Sequence, residues 1–119
     1  MNTMNQKGIH SFALKWLRLY ENDNTPVRLL EEDFAPDCFD LEFAMDCGES
    51  FVEHFSVEAF SNPQAFSAVV ASINDPMFLG TAILSKWRGI THWWNQDLFD
   101  RSNREWFILA FSRLAEITT

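Results

Sequence analysis

Apolar residues along the 119-residue chain recur mostly three and four positions apart, the period of a helix that turns one side to a core. Between Ser11 and Glu21, Phe12, Trp16 and Tyr20 stand at intervals of four with Ala13 and Leu17 beside them. This predicts a helix with one broad apolar face that leaves Lys15 and Arg18 in water. Asn62-Pro63 reads as an N-cap followed by proline at the first helical position, where the missing N–H has no intrahelical partner to lose. Phe66, Val69, Val70 and Ile73 then fall at i, i+3, i+4 and i+7. Asp75-Pro76 repeats the start signal two residues later, so a short connection is expected to fold the next helix back as the second arm of an antiparallel hairpin. That helix is predicted from Pro76 to about Asn95, roughly 30 Å at 1.5 Å per residue. Its stripe of Leu79, Ile83, Trp87, Ile90 and Trp94 marks it as the expected centre of the core. A capping box, Ser102-Asn-Arg-Glu105, opens the last helix, whose apolar residues from Trp106 to Ile117 leave little but Ser112, Arg113 and Glu116 for water. A helix of that kind packs on two sides.

The stretch from Thr25 to Phe60 is less regular. Thr25-Pro26 resembles a further helix start and Ser50-Phe-Val-Glu53 a second capping box, which predict short helices. Between them Phe39, Leu41, Phe43 and Met45 alternate with Asp40, Glu42, Ala44 and Asp46, the period of a strand. Phe34, Cys38, Leu41 and Met45 also fall at i, i+4, i+7 and i+11, with Gly48 placed to end a helix. Helix is the preferred reading of residues 36 to 48, because no second segment alternates and a lone strand leaves its backbone groups unpaired. The expected fold is all-α: a compact single-domain bundle of about five or six helices with a Trp/Phe-rich core, preceded by a disordered tail over residues 1–8.

Composition supports this and narrows the function. Twelve Phe and five Trp in a chain with 17 acids and 9 bases argue against disorder despite the formal charge of −8, since each ring brings a large apolar area to bury. About 6,700 Å² of surface is expected to remain in the folded state. The acidity disfavours a direct nucleic-acid binder, whose affinity comes from neutralising phosphates. No apolar run is long enough to span a bilayer. Two cysteines, Cys38 and Cys47, without CxxC pairing offer no disulfide framework, and the polar N-terminal residues lack the pattern of a secretory leader. The expected setting is a reducing cytoplasm, with no cofactor.

The clearest functional signal is charge placement. From Leu29 to Ser85 there are eleven acids and no Lys or Arg, ten of those acids between Glu31 and Glu58. The residues expected to bind a basic protein partner are Glu31, Glu32, Asp33, Asp37, Asp40, Glu42 and Asp46, with Phe34 or Phe39 as an apolar anchor among them; complementary charge steers encounter and rejects wrong partners. A small non-enzymatic interaction protein, of the inhibitor or immunity type, would work in this way. A bland alternative is an acidic surface that is merely solvated.

A second signal, Lys86 to Trp94, places three tryptophans, a histidine and two bases on one predicted helix. Trp87 and Trp94 belong to the core stripe. Arg88 and His92 share a face and with Trp93 could line a ligand pocket, although an internal link to the acidic segment is the simpler expectation. Asp46, Glu49 and Glu53 could act as hard-metal ligands or an acid–base pair in an alternative reading as a small-molecule or metal-dependent enzyme. Cys38, Cys47 and His54 match no zinc spacing, no metal site is expected, and the HExxH, GxSxG and phosphate-loop motifs are absent. Self-association through an exposed aromatic patch is a third reading, so a homo-oligomer is among the expected partners.

Overall fold

Six α-helices account for most of the residues described by the computed structural model, which covers residues 6–26, 29–44, 55–90 and 101–119 and gives the backbone alone for residues 31 and 42–44. They are α1 (Gln6–Glu21), α2 (Phe34–Ala44), α3 (Val57–Ser61), α4 (Pro63–Val69), α5 (Pro76–Arg88) and α6 (Arg101–Ile117). No strand occurs among the described residues, in agreement with the all-α expectation. The exposed surface is 6646 Å², close to the value expected from chain length. No described helix is long and apolar enough to cross a membrane.

The start signals act as the sequence predicts. The Asn62 side chain accepts from the Gln64 and Ala65 amides ahead of Pro63, and the Asp75 carboxylate accepts from the Met77 amide ahead of Pro76. Asn62 also closes the preceding helix, its own N–H donating to the Glu58 carbonyl. Helix α1 begins earlier than its apolar stripe suggests: residues 6–8, expected in a tail, form its first turn. The Gln6 amide reaches the Thr118 carbonyl at 3.4 Å, and His10 Nδ1 lies 3.1 Å from Thr118 Oγ1, which ties the start of α1 to the end of α6. Helix α6 is already helical at Arg101. That places Ser102 inside the helix rather than ahead of it, and the Glu105 carboxylate, assigned to a capping box, accepts from Arg101 Nε at 3.2 Å.

Residues 36–44 are helical, so within the described part of the ambiguous segment the period of four prevails over the period of two. Leu30, Phe34, Cys38 and Leu41 are buried along one side. A π-helical turn, Leu29–Asp33, leads directly into α2. Pro36 has no N–H to donate to the carbonyl of residue 32 and its ring crowds that carbonyl, which favours a wider turn at this point. Met45, Gly48, the Ser50–Glu53 capping box and Trp94 lie outside the described residues.

The core corrects one expectation of arrangement. Helix α6, not α5, is the hub, because α1, α4 and α5 all pack on it. The hairpin predicted for α4 and α5 does not form as a direct pairing among the described residues; each lies against α6 instead. The stripe of α5 is nonetheless buried, with Leu79, Ile83, Trp87 and Ile90 all at 3% exposure or less. Two aromatic groups fill the interior. Phe34 sits among Phe12, Trp16, Tyr20, Phe107 and Phe111, with ring centroids 4.8–6.2 Å away. Trp106 stacks on Phe66 at 4.3 Å and meets Phe60 edge-on. The geometry is the offset-stacked and edge-to-face packing that ring quadrupoles favour.

Candidate functional site

Helix α2 divides its acidic residues between two roles. With Leu30, Phe34, Cys38 and Leu41 facing the core, the residues exposed along the other side are Glu32, Asp33, Pro36, Phe39 and Asp40. Glu32, Asp33 and Asp40 make no ion pair among the described residues. Phe39 is 50% exposed and packs at right angles to the Trp87 ring at 5.4 Å, so the α5 indole supports the ring while half of the residue stays in water. Among the described side chains of α2, a large apolar group and carboxylates without an ion pair thus share one exposed side.

Asp37 is different. It lies on the flank of the helix, where its Oδ2 accepts from Lys15 Nζ at 2.7 Å and from Trp16 Nε1 at 2.7 Å. Lys15 Nζ also rests 5.0 Å from the centre of the Trp16 ring. Trp16 is fully buried, so Asp37 supplies the acceptor its indole N–H needs inside the protein. Asp37, expected in the partner-binding set, thus has a structural role as well: its carboxylate joins α2 to α1. One internal link between the acidic segment and a base is made by Lys15 with Asp37. Phe34, the other suggested anchor, is corrected, since it is fully buried at the centre of the aromatic cluster.

The side chains of Glu31 and Glu42, together with Asp46, Glu49, Glu53, His92 and Trp93, lie outside the described residues. Arg88 is exposed at the end of α5. No group of three or more His, Cys, Asp or Glu among the described residues is placed to hold a metal ion. Cys38 is buried and free. Burial raises its thiol pKa and the neighbouring Asp37 carboxylate raises it further, which keeps it protonated and unreactive near neutral pH.

One functional-looking residue escaped the reading of the sequence. Lys86 is only 2% exposed. Its Nζ donates to the Phe60 carbonyl at 2.8 Å and lies 5.4 Å and 5.2 Å from the centres of the Phe60 and Trp106 rings. Trp106 Nε1 donates to the neighbouring Ala59 carbonyl at 3.1 Å. Together they satisfy the terminal carbonyls of α3, a helix too short to pair them itself. The signal was present: position 86 falls three after Ile83 and seven after Leu79, inside the α5 stripe.

A cleft of about 380 Å³ opens between the end of α1 and the start of α6, bounded by Glu21, Asp23, Arg101, Arg104, Glu105 and Ile108. Its cations are already engaged. Arg104 donates to the Tyr20 carbonyl and lies 3.7 Å from Asp23, while Arg101 pairs with Glu105. With three carboxylates and two arginines that are both engaged, the cleft offers no free cation to an anionic ligand. No protein-family model matches the chain, and comparison with curated proteins and with solved structures finds no match either. Function has to be read from these surfaces.

Proposed function

We propose that the protein is a non-enzymatic interaction protein of the cytoplasm that docks a basic protein surface through the exposed side of α2. Glu32, Asp33 and Asp40 supply the charge and Phe39 the apolar anchor. The observation that carries this reading is the half-exposed Phe39 ring on the same exposed side of the helix as carboxylates that have no ion-pair partner among the described residues. Rim carboxylates set the encounter rate and exclude acidic surfaces, while an aromatic side chain that becomes buried supplies the larger share of affinity. Glu31, Glu42 and Asp46 extend the same acidic segment in sequence and add to its field. An inhibitor or antidote of a basic protein is the use that best fits so small and acidic a chain.

The test is capture by the tagged full chain at low and high salt, beside a Glu32→Lys/Asp33→Lys/Asp40→Lys variant and a Phe39→Ala variant. The proposal expects a basic protein that is held by the native chain, weakened by salt, and lost from both variants while their helix content and melting temperature stay native. Retention by both folded variants would overturn it.

A further inference from the structure

The helix that packs beside the acidic face is itself basic on its outer side. Helix α1 carries Lys7, Lys15 and Arg18, with Glu21 at its end as the only acid. Its buried side is Ile9, Phe12, Ala13, Trp16 and Tyr20, so Lys7, Ser11, Lys15 and Arg18, at i, i+4, i+8 and i+11, lie on the opposite side and are exposed. Leu14 is half-buried between Lys7 and Arg18. Neither Lys7 nor Arg18 makes an ion pair among the described residues. The Lys15–Asp37 pair joins α1 to α2, so a basic strip and an acidic strip run on adjacent helices of one molecule.

We infer that the basic surface fitted to α2 is the α1 strip of a second copy of this chain. The inference rests on the docking role proposed for α2 and adds a second copy as the occupant of that face in the free protein, which a basic target displaces. Two adjacent strips of opposite sign are self-complementary under a two-fold axis: the α1 strip of each copy meets the α2 strip of the other, and both contacts are identical. Lys7 and Arg18 then face Glu32, Asp33 and Asp40, and Phe39 packs against Leu14. About 16 Å separates Lys7 from Arg18 along α1, and about 12 Å separates Glu32 from Asp40, at the rise of a helix. The strips are thus comparable in length. The net charge of −8 opposes pairing through charges far from the contact, but beyond about 8 to 10 Å these are screened at physiological salt, whereas the facing strips are not.

The test uses the full chain and two charge-reversed forms. One reverses the basic strip, Lys7→Glu/Arg18→Glu, leaving Lys15 in its pair with Asp37; the other reverses the acidic strip, Glu32→Lys/Asp33→Lys/Asp40→Lys. Mass is followed by light scattering over a wide concentration range. The native chain is expected to approach twice its 13.9 kDa as concentration rises, each reversed form alone to stay monomeric, and an equimolar mixture of the two to regain the doubled mass. That recovery also shows that both forms are folded. A native chain that remains monomeric, association indifferent to both reversals, or a mixture that fails to associate would each overturn the inference. If a monomeric native chain still captures a basic protein through Glu32, Asp33 and Asp40, self-pairing alone has failed; if it captures none, the docking role fails with it.

Discussion

Replacing Asp37 separates a structural carboxylate from the binding carboxylates around it. Asp37→Ala removes the acceptor for Trp16 Nε1 and the partner of Lys15. The indole belongs to a fully buried residue, and a buried donor left without its acceptor costs about 1–3 kcal/mol. The ion pair adds less. Lys15 is 53% and Asp37 27% exposed at the side chain, and pairs in such surroundings contribute roughly 0–1 kcal/mol. The expected loss is about 2 kcal/mol, or a fall of roughly 8 °C in melting temperature for a chain of this size. Asp37→Asn keeps an oxygen in reach of both donors and is expected to cost less than about 1 kcal/mol. Urea denaturation followed by far-ultraviolet circular dichroism measures all three proteins. A neutral Asp37→Ala, or an Asp37→Asn as damaging as the alanine variant, would refute the assignment of Asp37 to the joint between α1 and α2. By contrast, Asp40→Lys, on the exposed side of the same helix, is expected to change stability by less than about 0.5 kcal/mol.

Lys86→Ala removes three buried methylenes worth about 0.8 kcal/mol each and the donor to the Phe60 carbonyl, so a loss of about 3 kcal/mol is expected in the same urea assay; a neutral result would place Lys86 in water. Tyr20→Phe should be neutral or stabilising by up to about 1 kcal/mol in thermal melts, because the buried Tyr20 hydroxyl has no hydrogen-bond partner among the described residues. A clear loss would reveal a partner. Burial, and secondarily Cys38, raises the Tyr20 pKa well above 10.0, with Arg104 opposing. Above that pH the unfolded chain gives up the phenolic proton and the folded chain keeps it, so unfolding becomes easier as pH rises. Melting curves from pH 8 to 11 should show this alkaline loss reduced in Tyr20→Phe; an equal loss in both proteins would contradict the burial argument. Arg113→Ala should cost about 1–2 kcal/mol, as it removes the donors to the Ile73 carbonyl and Asn74 Oδ1 that pin the connection between α4 and α5 to α6.

Local signals were readable where physics is local. Asn62-Pro63 and Asp75-Pro76 set the starts of α4 and α5, because a side-chain acceptor and a proline act within three residues. The choice between helix and strand at Phe39 and Leu41 turned on an argument of absence, that no partner strand exists, and the helical outcome follows from it. Which helix becomes the hub was not readable. The stripes of α5 and α6 are similarly apolar, and only the docking of α1, α4 and α5 on one surface distinguishes them. The acidic segment reads in sequence as one block, yet Asp37 points to a buried indole whereas Asp40 faces water. The sequence does carry a trace of this difference: Asp37 follows Phe34 by three and precedes Leu41 by four, at the edge of the buried arc. The burial of Lys86 is not foreseen from the sequence, for a general reason. Lysine is so seldom buried that its chemical type outweighed its position in the α5 stripe.

The docking role of α2 is tested most directly by a photo-crosslinking amino acid placed at position 39, compared with the same group at position 57, where Val57 is 67% exposed on α3, a helix without extensive packing on α2. Irradiation in lysate followed by mass spectrometry identifies what touches each position. The account predicts adducts at position 39 that carry peptides from a basic protein surface, the Leu14 region of a second copy included, and that disappear with Glu32→Lys/Asp33→Lys/Asp40→Lys. Equal adducts at both positions, or adducts at 39 that survive the charge reversal, would contradict it.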